Sequence, residues 1–143
     1  MKFLLFFFII ILSFSSFSQR KKKITHEPEV FASNQELYEF DIKYFGESVH
    51  VDPTYQYVIG YLVELMEKNP KWTLLVRGHV CCGPAMKVSE KRACKAYKLL
   101  IEYGIDKERL RYEGFSDKKP LTFPEKTEED AAKNRRVDFV ITK

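Results

Sequence analysis

The alternation of apolar and polar residues predicts four strands in the second part of the chain. From Leu37 to Phe45 every second residue is apolar or aromatic, which predicts a half-buried strand because successive strand side chains point to opposite faces. The continuous apolar run from Trp72 to Val76 has the length of a buried strand. Residues 109–115 and 137–141 alternate again and predict the remaining two strands.

Helical spacing of apolar residues predicts three helices between these strands. Asp52-Pro53 is a typical helix start, and the periodic segment that follows reaches Lys68. A second helix is predicted from near Ser89 to a C-terminal Gly104, and 127–130 opens a short polar helix. The order β-α-β-α-β-(α)-β predicts an α/β (α+β) sandwich with helices packed on the sheet.

The first 36 residues are predicted to lie outside this domain. Residues 1–18 combine one lysine, an apolar run and a small-residue end, so we expect a signal peptide cleaved after Ser18. An uncleaved membrane anchor is the alternative, which the serines after Leu12 disfavour because a span needs roughly 20 apolar residues. Residues 19–36 are polar and predict a linker, which leaves 37–143 as the domain.

The charge pattern does not indicate a nucleic-acid partner. The formal net charge is only +4, and much of the excess lies in the run 20–23, directly after the predicted cleavage site. A solvated tail is the favoured interpretation, with contact to an anionic envelope polymer or lipid as the alternative. No basic stripe continues into the domain.

Five motifs in the domain carry a resemblance to a known family. They are LLVRGHV at 74–80, VSEKRA at 88–93, GID and RL within 104–110, YEGFSDKKP at 112–120 and KNRRVDFVI at 133–141. In this order they resemble the C-terminal peptidoglycan-associating domain of OmpA, which also occurs in Pal lipoproteins and MotB. The resemblance spans residues 37–143 and implies one mixed sheet with helices on one face.

The resemblance implies a binding protein without enzymatic activity or cofactor, whose ligand is the stem peptide of peptidoglycan. The diaminopimelate side chain of that peptide carries a carboxylate and an ammonium, and a guanidinium can donate two parallel hydrogen bonds to a carboxylate. By the family pattern, Arg92 and Arg135 hold the carboxylate. The alternative for Arg92 is a surface ion pair. His79 and Asn134 also match family positions, each with a structural role as the alternative, and Arg136 is expected to face away from the site or to pair structurally.

The loop before the second helix departs from the family. The position of the usual ligand-binding aspartate holds Cys81, and that of the usual asparagine holds Ala85. The carboxylate half of the site is therefore present and the ammonium half is missing. A ligand ammonium could meet backbone carbonyls, Glu90, Asp117 or Glu125; otherwise the site reads a neutral group or has drifted from this ligand.

The three cysteines leave several interpretations open. They are small apolar core residues, or Cys94 forms a disulfide with Cys81 or Cys82, since a bond between the adjacent pair is expected to be strained. A zinc or copper(I) site formed by the three cysteines and His79 is disfavoured by the ligand spacing. A thiol enzyme is disfavoured because no acid is placed to orient His79.

We therefore predict an exported protein of the periplasm, associated with the cell outer membrane, that binds peptidoglycan and other envelope proteins. The alternative is a structural or interaction module of the envelope that has lost this ligand and is stapled by its cysteines.

Overall fold

A computed structural model describes residues 40–143. The predicted signal peptide at 1–18, the linker at 19–36 and the start of the first predicted strand at 37–39 lie outside the described residues. Within 40–143, none of the helices combines the length and the apolar character that crossing a bilayer requires.

Four strands and three α-helices follow one another in the predicted order. They are β1 (Asp41–Lys43), α1 (Gln56–Lys68), β2 (Thr73–Gly78), α2 (Met86–Glu102), β3 (Leu110–Gly114), α3 (Glu128–Asn134) and β4 (Arg136–Thr142). Short 3₁₀ turns at Pro53–Tyr55 and Lys107–Arg109 precede α1 and β3. Asp52 caps the first of these turns rather than α1 itself, accepting a hydrogen bond from the Thr54 amide at 2.8 Å.

The four strands form one mixed sheet in the order β1-β4-β2-β3. β4 runs antiparallel to both β1 and β2, whereas β2 and β3 are parallel. Alternate residues of the strands, including Leu74 and Phe139, are buried against the apolar faces of α1 and α2. The fold class predicted from the sequence, an α+β sandwich with a mixed sheet, is confirmed.

The first turns of α2 pack closely against the end of β2, and this packing positions the side chains of the helix. A Cβ atom at Gly78 would lie 1.9 Å from the Ser89 carbonyl oxygen, so only glycine permits this approach. The helix begins at Met86, one turn before the predicted start near Ser89. Ser89 is buried inside the helix, where its hydroxyl donates to the Met86 carbonyl and accepts from the Ser116 amide. The sequence pattern missed this start because Ser89 resembles a capping residue.

Candidate ligand-binding pocket

A pocket of about 450 Å³ opens beyond the end of β2. Its walls come from the β1–α1 loop, the β2–α2 loop, the first turns of α2 and the residue that precedes β4. The lining residues are Gly46, Glu47, Val80, Cys81, Cys82, Gly83, Pro84, Ala85, Val88, Arg92 and Arg135. The structure therefore brings together both predicted arginines and the twin-cysteine loop.

Arg92 reaches the pocket from α2 and is 1% exposed. Its Nε donates to the Ser48 carbonyl at 2.8 Å, and its Nη1 donates to the His79 carbonyl at 2.9 Å. Its Nη2 donates to the Gly46 carbonyl at 2.5 Å, and the guanidinium carbon lies 4.8 Å from the Tyr44 ring centroid. Burial lowers the pKa of Arg92, yet an arginine stays cationic at any physiological pH. These contacts use three of its five N–H groups, which leaves one on each Nη nitrogen.

Arg135 reaches the same pocket from the residue before β4 and is 6% exposed. Its Nε donates to the Tyr44 carbonyl at 3.2 Å, and its Nη1 donates to the Cys81 sulfur at 3.4 Å. Its Nη2 pairs with the carboxylate of Glu128. The Glu128 side chain is 82% exposed, so water weakens this ion pair and an incoming carboxylate can replace it at little cost.

Glu47 is the acid among the described residues that line the pocket, and the sequence analysis missed it. It is exposed on the β1–α1 loop, and its negative charge favours the cationic form of Arg92. The acids considered from the sequence, Glu90, Asp117 and Glu125, are not among the lining residues. Glu47 was missed because the β1–α1 loop meets the β2–α2 loop only in the folded chain.

The twin-cysteine loop contains a disulfide between Cys81 and Cys82, and Cys94 is free. The predicted pairing of Cys94 with either loop cysteine is therefore wrong. The thiol of Cys94 instead contacts the Tyr112 hydroxyl on β3 and raises its pKa. The backbone of the loop reverses at Cys82 and Gly83, whose φ angles of 65° and 111° lie in the left-handed region.

The four-residue metal set considered from the sequence is not assembled. The sulfurs of Cys81 and Cys82 lie within 4.8 Å of one another and of a Glu125 oxygen, but the His79 ring faces Asp138 and Cys94 faces Tyr112. The two sulfurs are joined in the disulfide, so neither is a thiolate ligand in this structure.

His79 has a structural position below the pocket. It is 1% exposed, its Nε2 lies 3.0 Å from Oδ2 of Asp138, and its ring stacks on Phe115. Burial lowers the pKa of His79, which favours the neutral imidazole, and neither ring nitrogen makes a hydrogen bond of normal geometry among the described residues. Burial alone would raise the pKa of Asp138, but contacts with His79 and Arg77 outweigh it and lower the value to about 2. Arg136 also pairs with Asp138, as predicted.

Asn134 is fully buried and holds the segment that contains Leu121, Thr122 and Glu125. Its side-chain oxygen accepts from the amides of Leu121 and Thr122 at 2.7 and 3.2 Å, and its Nδ2 donates to the Thr122 carbonyl and to Glu125. The other Glu125 oxygen accepts from the Cys82 amide at 2.9 Å. Asn134 therefore acts on the twin-cysteine loop through Glu125, rather than by touching a ligand.

No protein-family model matches the chain. Several solved structures are similar to it. The peptidoglycan-associated lipoprotein of Burkholderia pseudomallei is 20% identical with a TM-score of 0.67, covering 71% of this chain and 89% of that one. The C-terminal domain of Helicobacter pylori MotB is 22% identical with a TM-score of 0.67, covering 73% and 84%. The OmpA-like domain of Francisella tularensis FopA1 is 20% identical with a TM-score of 0.59, covering 71% and 70%.

These likenesses confirm the resemblance at the level of the fold. The protein has the fold of OmpA-like C-terminal domains.

Proposed function

We propose that this protein binds peptidoglycan non-covalently through the pocket beyond β2. The observation that carries the proposal is the convergence of Arg92 and Arg135, two buried guanidinium groups from separate elements, on one open pocket. Burying two cations costs free energy, and anion binding is a function that repays this cost. The similarity to a peptidoglycan-associated lipoprotein supports the same ligand.

The ligand group that fits the two arginines of the pocket is a carboxylate of the stem peptide, such as that of a diaminopimelate side chain. It would accept hydrogen bonds from the free Nη–H groups of Arg92 and would replace Glu128 on Arg135. Glu47 stands on the wall formed by the β1–α1 loop and is the acid that a ligand ammonium would meet.

The proposed location is the periplasm, in association with the outer membrane. It is supported by the signal-peptide pattern at 1–18 and by the fold's similarity to a periplasmic domain of H. pylori MotB. Binding to the cell wall would hold the domain, and any envelope protein attached to it, in place.

Co-sedimentation with purified sacculi tests the proposal. The parent protein should pellet, whereas Arg92→Ala and Arg135→Ala should stay in solution. Lys91→Ala and Lys133→Ala are matched controls, because each removes one positive charge from an exposed neighbouring position outside the pocket. Both controls should pellet like the parent; if they are also lost, the binding is a general charge effect.

A structural role for the arginines is the second candidate. Three hydrogen bonds from Arg92 to backbone carbonyls hold α2 to the β1–α1 loop and the β2–α2 loop, whether or not a ligand binds. In that case the parent would not pellet with sacculi, and the domain would serve as an interaction module of the envelope.

A further inference from the structure

We infer that the Cys81–Cys82 disulfide is a thiol-exchange site at the rim of the pocket, where an external thiol attacks Cys82. Cys82 is exposed, whereas Cys81 is half-buried against Arg135. The exchange site does not depend on the proposed function. The effect of opening this disulfide on ligand binding does rest on the proposed function.

The exposure of Cys82 and the positive charge beside Cys81 both favour attack on the Cys82 sulfur. Cys82 is the exposed residue of the pair, so an external thiolate attacks its sulfur and the bond then breaks toward Cys81. The Cys81 sulfur lies 3.4 Å from Nη1 of Arg135, so the departing thiolate is formed beside a cation. A neighbouring guanidinium lowers the pKa of a thiol, and a thiol of lower pKa leaves faster.

The electrons and protons of the exchange balance with a dithiol as the reductant. Its first thiolate attacks the sulfur of Cys82, the disulfide bond breaks, and the electron pair moves to Cys81. The resulting mixed disulfide is resolved when the second thiol of the reductant attacks it, which releases Cys82 and oxidises the reductant to a cyclic disulfide. The two protons of the reductant pass to the cysteines or to solvent.

Other charged groups around the loop do not reverse this preference. Arg92 lines the same pocket and adds a second positive charge. A Glu125 oxygen lies within 4.8 Å of both sulfurs, and this carboxylate accepts hydrogen bonds from the Cys82 amide and from Asn134. Glu128 pairs with Nη2 of Arg135 from a largely exposed position, where water weakens its charge. Glu47 is exposed on the β1–α1 loop. Arg135 is therefore the group in hydrogen-bonding contact with the Cys81 sulfur.

Opening the disulfide releases the Cys81 sulfur beside Arg135, inside the pocket. Paired with Arg135, this sulfur would occupy the cation that, under the proposed function, holds the ligand carboxylate. The reduced protein should therefore bind a carboxylate ligand more weakly than the oxidised protein.

The site of attack can be mapped in the Cys94→Ser protein, which keeps only the loop cysteines. The oxidised protein receives a short pulse of glutathione, then excess iodoacetamide, and fragmentation mass spectrometry locates each group. We expect glutathione on Cys82 and the alkyl group on Cys81. Glutathione on Cys81, an even distribution, or no opening would overturn the inference.

The contribution of Arg135 is measured by the opening rate. Arg135→Gln should open about threefold more slowly, because the departing Cys81 sulfur loses its neighbouring cation. Lys133→Gln is the matched control and should open at the parent rate. An unchanged rate in folded Arg135→Gln would overturn the role of the guanidinium, and if this variant does not fold, the adduct map of the Cys94→Ser protein still decides the site.

The effect on binding is measured with sacculi and the oxidised and reduced proteins. The oxidised form should pellet and the reduced form should pellet several-fold less, whereas a Cys81→Ser, Cys82→Ser double variant should not respond to the reductant. Equal sedimentation of both forms would overturn the effect on binding. If neither form pellets, the proposed function fails, while the adduct map still decides the exchange site.

Discussion

The Nη2 nitrogen of Arg92 donates a hydrogen bond to the carbonyl oxygen of Gly46 at 2.5 Å, joining α2 to the β1–α1 loop. Gly46 and Glu47 line the pocket together with the twin-cysteine loop. The residue proposed to hold the ligand therefore also builds the site around it. This dual role means that stability and binding must be measured separately in every Arg92 variant.

Arg92→Ala should lower the free energy of unfolding by about 3 kcal/mol, because the change removes a buried side chain and leaves the buried His79 carbonyl, and the Gly46 and Ser48 carbonyls, without this donor. Lys91→Ala, at the exposed neighbouring position, should change it by less than about 0.5 kcal/mol. Urea unfolding followed by circular dichroism measures both. Equal, small effects would show that the Arg92 contacts contribute little.

Gly78→Ala should destabilise the fold by about 2 kcal/mol or more and should displace the start of α2. The reason is steric, since the new Cβ would lie 1.9 Å from the Ser89 carbonyl oxygen and 3.2 Å from the Ala93 nitrogen. Thr73→Ala on the exposed side of the same strand is the control. Thermal unfolding midpoints compare the two variants, and a Gly78→Ala midpoint equal to that of Thr73→Ala would contradict the close packing.

Because of Asp138, the free energy of unfolding should fall as the pH becomes acidic. Its pKa is lowered from 3.8 to about 2 in the folded state, so the unfolded chain takes up a proton first as the pH falls. The stabilisation, about 2 kcal/mol, is present above pH 4 and is lost between about pH 4 and 2. The lowered pKa of His79 adds a second loss of stability that begins as the pH falls below 6.5.

Unfolding free energies of the parent and of Asp138→Asn, measured from pH 7 to 2, test this dependence. The variant should be less stable at pH 7, and the difference should shrink below pH 4. Glu102→Gln, an exposed carboxylate on α2, should follow the parent across the range. A constant difference between parent and Asp138→Asn would contradict the lowered pKa of Asp138.

Asn134→Ala should loosen the loop that supports the twin cysteines. The asparagine oxygen accepts from the Leu121 and Thr122 amides, so its loss should raise hydrogen exchange at these two positions at least tenfold, about 1.4 kcal/mol. The Cys82 amide should also exchange faster, because Glu125 loses its contact with Asn134. Unchanged exchange at Cys82 would show that Glu125 holds the loop without help from Asn134.

The fold was predictable because its signals are local. Alternation, helical spacing and the predicted helix end at Lys68 require only neighbouring residues, and the structure has the elements in the predicted order. The short helix opened by residues 127–130 was visible for the same reason, and in the structure Thr127 and Asp130 form a capping box at its start. The start of α2 was less predictable from the sequence. Ser89 lies inside this helix and accepts a hydrogen bond from the Ser116 amide, which is distant in the sequence.

The candidate site was predictable only where the family motifs name a residue. Arg92 and Arg135 line one pocket, as the motifs implied. Glu47 carries no motif and reaches the pocket only through the tertiary fold, and the pairing of Cys81 with Cys82 depends on a left-handed turn that the sequence does not indicate.

Isothermal titration with two soluble stem peptides tests whether Arg92 and Arg135 recognise a ligand carboxylate. One peptide keeps its free diaminopimelate carboxylate and the other has it amidated, so they differ in the group that the arginines are proposed to hold. The oxidised parent should bind the free carboxylate at least about tenfold more tightly, as expected for losing a charge-assisted hydrogen bond. Folded Arg135→Ala should bind both weakly and without preference. Equal affinity of the parent for the two peptides would contradict carboxylate recognition by Arg92 and Arg135.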